Sequence, residues 1–81
     1  MDEKEILELV ASVFSSVFKT PPEKVGPLTK QEDLKMWDSL GHIRLFLALE
    51  QRLKIHFELS EIERSRSVGD IVAIIKKRNT Q

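Results

Sequence analysis

In the stretch MWDSLGHIRL, Met36 to Leu45, Ser39 is preceded by Asp38 and followed three residues later by His42. A serine, a histidine and an acid are the parts of a nucleophilic hydrolase, in which a base takes the hydroxyl proton and an acid orients the base. The rest of such a site is missing. The chain has two histidines, His42 and His56, no glycine-rich nucleophile elbow, and no pair of strand candidates to strain one. Hydrolysis is rejected and no catalytic residue is assigned. His42 reads instead as a partly buried, hydrogen-bonded imidazole at the entrance of an apolar helix face. Two histidines without a spaced third ligand make a poor metal site, so no metal ligand is assigned either. What remains is placement. Asp38 reads as the N-cap of a helix that Ser39 begins, and a cap needs no function. The same position also favours an anion, because unpaired backbone N–H groups and the positive end of the helix dipole converge there, so a phosphodiester on Ser39 would be supported. Local pattern leaves both readings open.

The elements that must position Ser39 follow from apolar spacing. Ile6, Val10, Val13, Phe14, Val17 and Phe18 recur at helical intervals, with Asp2 and Glu5 spaced as a capping box, and predict a first helix over 1–18. Thr20, Pro21 and Pro22 stop it, since proline lacks the N–H donor and pushes its predecessor out of the helical region. A polar loop over 19–38 follows, broken by Gly26-Pro27 and carrying Val25, Leu28, Leu34, Met36 and Trp37 as its apolar residues. A loop of that length is functional or packed by its own side chains.

The second helix is predicted over 39–53. Stepping about 100° per residue places Leu40, Ile43, Leu45, Phe46, Leu47, Leu49 and Leu53 on an arc of about 220°, too wide for a single neighbour. The remaining stripe, Gly41, Arg44, Ala48, Gln51 and Arg52, is expected to face solvent or a partner. KIHFEL, Lys54 to Leu59, alternates like a short strand, but with no second strand to pair it a connection is preferred. Ser60 is expected to cap a short helix over 60–64, with Ile62 pointing inward. Ser67 and Asp70 have capping-box spacing ahead of a last helix over 68–78, whose inner face is Val68, Ile71, Val72 and Ile75. Lys76, Lys77 and Arg78 suit its C-terminal dipole, and the tail from Asn79 to Gln81 is expected to fray. The fold class is all-α: a four-helix bundle of three main helices and one short one, in a single domain over 1–81.

Composition narrows the function classes. Thirteen basic residues balance thirteen acidic ones, which leaves no global field for nucleic acid or an anionic membrane. The absence of cysteine excludes disulfides, thiolate metal sites and a cysteine nucleophile, so any thiol chemistry would have to be imported. MDEKEILELV is acidic and amphipathic, unlike a signal peptide, and no segment reaches the length of a membrane span. A soluble, cytoplasmic monomer is expected. Trp37, the single tryptophan, reads as a hydrophobic staple whose N–H reaches solvent or a carbonyl, or as a shoulder beside whatever hangs from Ser39. Gly41 costs up to about 1 kcal/mol of helix stability relative to alanine. Either a modifying enzyme approaches its backbone closely or the residue has no role.

WDSL at Trp37 to Leu40, followed by GHIRLFLALEQRLKI, resembles the serine motif and following helix of the acyl carrier protein family, and the VGDIVAII run sits at the family's spacing. The resemblance spans essentially the whole chain. It implies that the protein is not an enzyme but a carrier. A phosphopantetheinyl transferase using coenzyme A and magnesium would attach 4'-phosphopantetheine to Ser39, beside Asp38, and acyl groups would ride on the arm as thioesters. Partner contacts are then expected at Trp37, Leu40, Gly41, Ile43, Arg44 and Arg52. Phe46, Leu47, Leu49, Ile62, Val68 and Ile71 are candidate walls of an acyl pocket, or else an ordinary packed core. One departure stands out: the family's second helix usually shows an acidic outer face, whereas the stripe here is basic. Reversed charge is expected to select a dedicated acyl-loading ligase or acyltransferase and downstream enzymes, in a fatty-acid-like or secondary-metabolite pathway. The rivals are an aminoacyl or peptidyl carrier, whose usual glycine-rich, histidine-bearing lead-in is replaced here by Asp38, and an unmodified helical protein-interaction domain.

Overall fold

The first helix starts where its cap predicts. In the computed structural model, which describes residues 2–79, the Asp2 carboxylate accepts the Glu5 N–H at 2.8 Å and the Glu5 carboxylate accepts the Asp2 N–H at 3.3 Å. α1 runs Glu3–Phe18 and ends on Lys19, whose φ of 57° is a left-handed cap. α2 runs Ser39–Leu53 and ends on Lys54 in the same conformation. α3 spans Leu59–Arg64 and α4 spans Val68–Asn79, so Asn79 extends the helix past its expected end and the expected fraying of the last two residues lies outside the described residues. No strand forms among the described residues, so the class is all-α; KIHFEL is a connection up to Glu58, its Leu59 beginning α3, and it is anchored where the Glu50 carboxylate accepts the Phe57 N–H at 2.9 Å.

Two starts differ from expectation. α3 begins one residue before Ser60, with Glu58 as its N-cap, and the Glu61 carboxylate accepts the Glu58 N–H at 2.8 Å. Ser60 lies inside the helix and is exposed. Ahead of α4, the Ser67 hydroxyl accepts the Asp70 N–H as expected, but the Asp70 carboxylate accepts the N–H of Arg66 rather than that of Ser67. That box is therefore one residue wider than its spacing suggested.

The long loop is not loose. It contains 3₁₀ turns at Pro22–Lys24 and Gln31–Asp33, and it is stitched to the start of α4. Thr29 O accepts the Val68 N–H at 2.9 Å, Pro27 O accepts the Gly69 N–H at 3.0 Å, and Arg66 O accepts the Gln31 N–H at 2.8 Å. The first turn of a helix has no internal acceptors for its N–H groups, and here the loop supplies them. Gly69 permits this approach, because a Cβ there would lie 2.8 Å from Pro27 O.

α1 packs against both α2 and α4. Ile6, Val10 and Phe14 of α1, Leu45, Phe46 and Leu49 of α2, and Val68, Ile71 and Ile75 of α4 are all buried in one core with Trp37 and Phe57. Through that core runs a row of rings: Phe14 to Trp37 at 5.0 Å, Trp37 to His42 at 5.9 Å, His42 to Phe46 at 5.0 Å, and Phe46 to Phe57 at 4.9 Å. Arg78 of α4 closes the row, its guanidinium 5.7 Å from the Phe57 centroid.

The wide apolar arc of α2 is divided rather than buried. Leu40 is 67% exposed, Ile43 53% and Leu47 54%. The supposedly solvent-facing stripe is divided too: Gly41 is buried and Ala48 half-buried, while Arg44, Gln51 and Arg52 are exposed. The reason is steric. α1 approaches α2 along its small residues, so Phe18 lies against Gly41 and Val13 and Val17 border Ala48, which turns the larger Leu40, Ile43 and Leu47 outward.

Candidate functional site

Ser39 is the first residue of α2 and is exposed. The Asp38 carboxylate turns inward to accept the Gly41 N–H at 2.8 Å, and its carbonyl accepts the His42 N–H at 2.8 Å. One unpaired donor of the first turn is thus satisfied by the cap, and the serine hydroxyl stands free of that task.

The support beneath Ser39 is buried and specific. Trp37 is 1% exposed, with its ring edge-on to Phe14 and tilted against Phe18. Its expected contact with a partner is corrected: the side chain is core. The staple reading survives in altered form, since Trp37 precedes the cap and packs on His42 one turn into the helix, but its N–H reaches neither solvent nor a carbonyl. It donates to His42 Nδ1 at 2.8 Å, and His42 Nε2 donates to Ile62 O of α3 at 2.6 Å. Gly41 is also corrected as a partner contact. The close approach it allows is internal, because a Cβ would lie 2.6 Å from Met36 O and 2.8 Å from Phe18 Cε1.

The outward row is Leu40, Ile43 and Leu47, with Arg44 exposed on the same helix and Lys19 and Leu47 bordering one shallow groove. Of the candidate pocket walls, Phe46, Leu49, Val68 and Ile71 are buried together and Ile62 is half-buried beside them. Leu47 is not with them. It faces out, so it belongs to the surface row.

Sequence spacing missed Glu61 and Arg78. Arg78 Nη2 donates to the Glu61 carboxylate across seventeen residues, joining the end of α4 to α3. Burial raises the pKa of Glu61, but the Arg78 hydrogen bond, the Glu58 N–H and the charges of Arg78 and Arg64 outweigh it, so the net shift is downward. The only available signal was a lone basic cluster ending the last helix. Among the described residues no cluster of histidine, cysteine or carboxylates could hold a metal, and no helix is long and apolar enough to cross a membrane.

The family model described as the phosphopantetheine attachment site matches residues 8–75. The chain is 33% identical over 79 residues to an acyl carrier protein of Thermosynechococcus vestitus, covering 96% of each. The chain belongs to the acyl carrier protein family. It is 30% identical to acyl carrier protein 2 of Ralstonia nicotianae over 94% of each chain. Its fold matches the solution structure of a holo acyl carrier protein from Geobacter metallireducens with a TM-score of 0.81 at 31% identity, covering 91% of this chain and 85% of that one. An acyl carrier protein is a carrier and not a catalyst. Its prosthetic group is a covalently attached 4'-phosphopantetheine, and it works with phosphopantetheinyl transferases and biosynthetic enzymes. The residues of this carrier fit such a group: a serine hydroxyl is exposed on a rigidly seated helix start, and the neighbouring carboxylate is held by a backbone N–H.

Proposed function

We propose that Ser39 is the attachment point and that this carrier transports acyl rather than aminoacyl groups, in the cytoplasm, for dedicated enzymes of a fatty-acid-like or secondary-metabolite pathway. The observation that supports Ser39 is its exposure at the first position of α2, inside the matched region, over a cap and staple that leave its hydroxyl unused. When bound, the arm supplies the thiol that this cysteine-free chain lacks. Asp38 sets the backbone that presents Ser39. The packed side chains of Phe46, Leu49, Ile62, Val68 and Ile71 part to accept an acyl chain. Asp38 in place of a glycine-rich lead-in favours acyl cargo.

The case for dedicated partners is the charge of the outer face. Leu40, Ile43 and Leu47 offer apolar contact; Arg44 and Lys19 border one groove with Leu47, Arg52 is exposed further along α2, and the exposed acid at the helix start is the cap Asp38. Glu50, the acid within α2, is half-buried and bound to the Phe57 N–H. Partners with carboxylates around an apolar slot are steered toward this face, and partners with basic docking faces are repelled.

Incubation with coenzyme A, magnesium and a broad-specificity transferase is expected to add the mass of one phosphopantetheine, and Ser39→Ala to abolish the gain. An unchanged wild-type mass removes the attachment reading. A general fatty-acid synthase transacylase is expected to load the wild type poorly and Arg44→Glu about tenfold better. Efficient loading of the wild type would remove the dedicated-partner reading.

A further inference from the structure

Among the described residues His42 is a buried side chain with two polar neighbours of fixed chemistry, and it lies three residues from Ser39. Trp37 Nε1 is 2.8 Å from its Nδ1, and Ile62 O is 2.6 Å from its Nε2. An indole N–H can only donate and a carbonyl can only accept. The ring therefore accepts at Nδ1 and donates at Nε2, which describes a neutral imidazole with its proton on Nε2. A proton added to Nδ1 would set two N–H groups against each other across the same 2.8 Å. The ring has no easy escape, because it stacks on Trp37 at 26° and meets Phe46 edge-on.

The two bonds join distinct parts of the molecule. Trp37 lies two residues before Ser39 and seats the start of α2, whereas Ile62 lies within α3. We propose that His42 is a positioning residue: in its neutral form it ties the helix start that presents Ser39 to α3, and protonation of Nδ1 releases that tie. This rests on Ser39 being the attachment point. Charged groups of the surrounding elements are occupied elsewhere or exposed. At the cap of α2 Asp38 holds the Gly41 N–H, and within α2 Glu50 holds the Phe57 N–H while Arg44 and Arg52 are exposed; Glu58 at the cap of α3 and Glu63 and Arg64 within it are exposed, and Glu61 is bound to Arg78 of α4. From α1, Phe14 and Phe18 meet Trp37, and Lys19 beyond them is exposed. The ring meets Trp37, Phe46 and the Ile62 carbonyl, none of them ionisable.

Three measurements on the full chain test this. Nitrogen NMR of the imidazole at neutral pH is expected to show Nε2 protonated and Nδ1 an acceptor; the opposite tautomer overturns the proposal. Trp37 is the single tryptophan, so its emission reports on the tie directly. Acidification over the range in which far-UV circular dichroism shows the helices intact is expected to shift wild-type emission in a single step as Nδ1 gains a proton and the indole N–H loses its acceptor. His42→Gln, whose amide can accept from the indole and donate to the carbonyl without titrating, is expected to show none, although His56 remains. A step retained in that variant overturns the proposal.

The third measurement mixes wild type and His42→Gln in one reaction with coenzyme A, magnesium and the broad transferase. The wild-type to variant ratio of kcat/KM is expected to fall about five- to tenfold over the same acidification, as suits loss of one buried hydrogen bond. Mass gain with a flat ratio removes the role of His42 alone. No mass gain at any pH removes Ser39 as the attachment point, and with it the positioning role.

Discussion

The first turn of α2 and the whole of α3 face each other across the His42 imidazole, and they are held by opposite means. The start of α2 rests on apolar burial and tight fit: Trp37 among Phe14, Phe18 and His42, and Gly41 against Met36 O and Phe18. α3 has six residues and none of them is buried. Beyond the half-buried Ile62 it is held by polar ties, through His42 to Ile62 O, Arg78 to Glu61, and the Ser65 hydroxyl, which donates to Glu61 O at 2.8 Å. Apolar packing carries no ionisable group and does not itself respond to pH, whereas bonds to charged or titratable groups do. The two regions therefore differ in what can move them: the start of α2 rests mainly on shape, with the His42 bonds as its polar contribution, and α3 rests mainly on polar ties, with Arg78–Glu61 as the charged pair among them.

Three substitutions sharpen that contrast. Trp37→Ala removes the largest buried ring beneath Ser39 and leaves Nδ1 of His42 without its donor, so a loss of about 3–5 kcal/mol is expected by denaturant unfolding. A loss well under 1 kcal/mol would show that the helix start is not held by packing. Gly41→Ala should gain up to about 1 kcal/mol from helix propensity but lose more to the clash with Met36 O, for a net cost of about 1–2 kcal/mol. Stabilisation by this change would mean that the close approach is easily relaxed.

Glu61→Gln is expected to have the smallest effect, about 0.5–1 kcal/mol near neutral pH, because the pair is partly exposed and Arg78 Nε is buried without a partner, so it is incompletely satisfied. Its pH dependence is the sharper readout. The folded-state pKa of Glu61 lies below the ordinary 4.5, so its contribution is complete above that value and is lost as pH falls through the folded pKa. Wild-type and Glu61→Gln unfolding curves are expected to differ at neutral pH and to converge in acid. A gap that persists at low pH would assign the stability of α3 to something other than the ionised carboxylate.

Legibility followed the range of the interactions. The Asp2–Glu5 box, the limits of α2 and the acidic cap before Ser39 are set by groups three or four residues apart, and all could be read from spacing. The start of α3 was misplaced by one residue, because Ser60 is a favoured cap type and Glu58 is not, and what sets the start is the reach of the Glu61 carboxylate back to the Glu58 N–H. Trp37 was legible as a staple, but its imidazole partner required knowing that His42 is also pulled toward α3, twenty residues on. The same holds for Glu61 and Arg78, and for the loop carbonyls that cap α4.

The sequence by itself determined the all-α class, the helix order, the lack of an internal thiol and the placing of a serine at the head of an apolar helix. These rest on local periodicity, capping and composition, which act within a few residues. Only the tertiary structure decided which part of the 220° arc, about two-thirds of a turn, became surface. Gly41 and Ala48 let α1 come close on one side, and that approach alone turned Leu40, Ile43 and Leu47 outward while closing Leu45, Phe46 and Leu49 into the core. Helical spacing states which residues share a face; it does not say which face a neighbour will cover, because that is settled by where another helix can pack most closely.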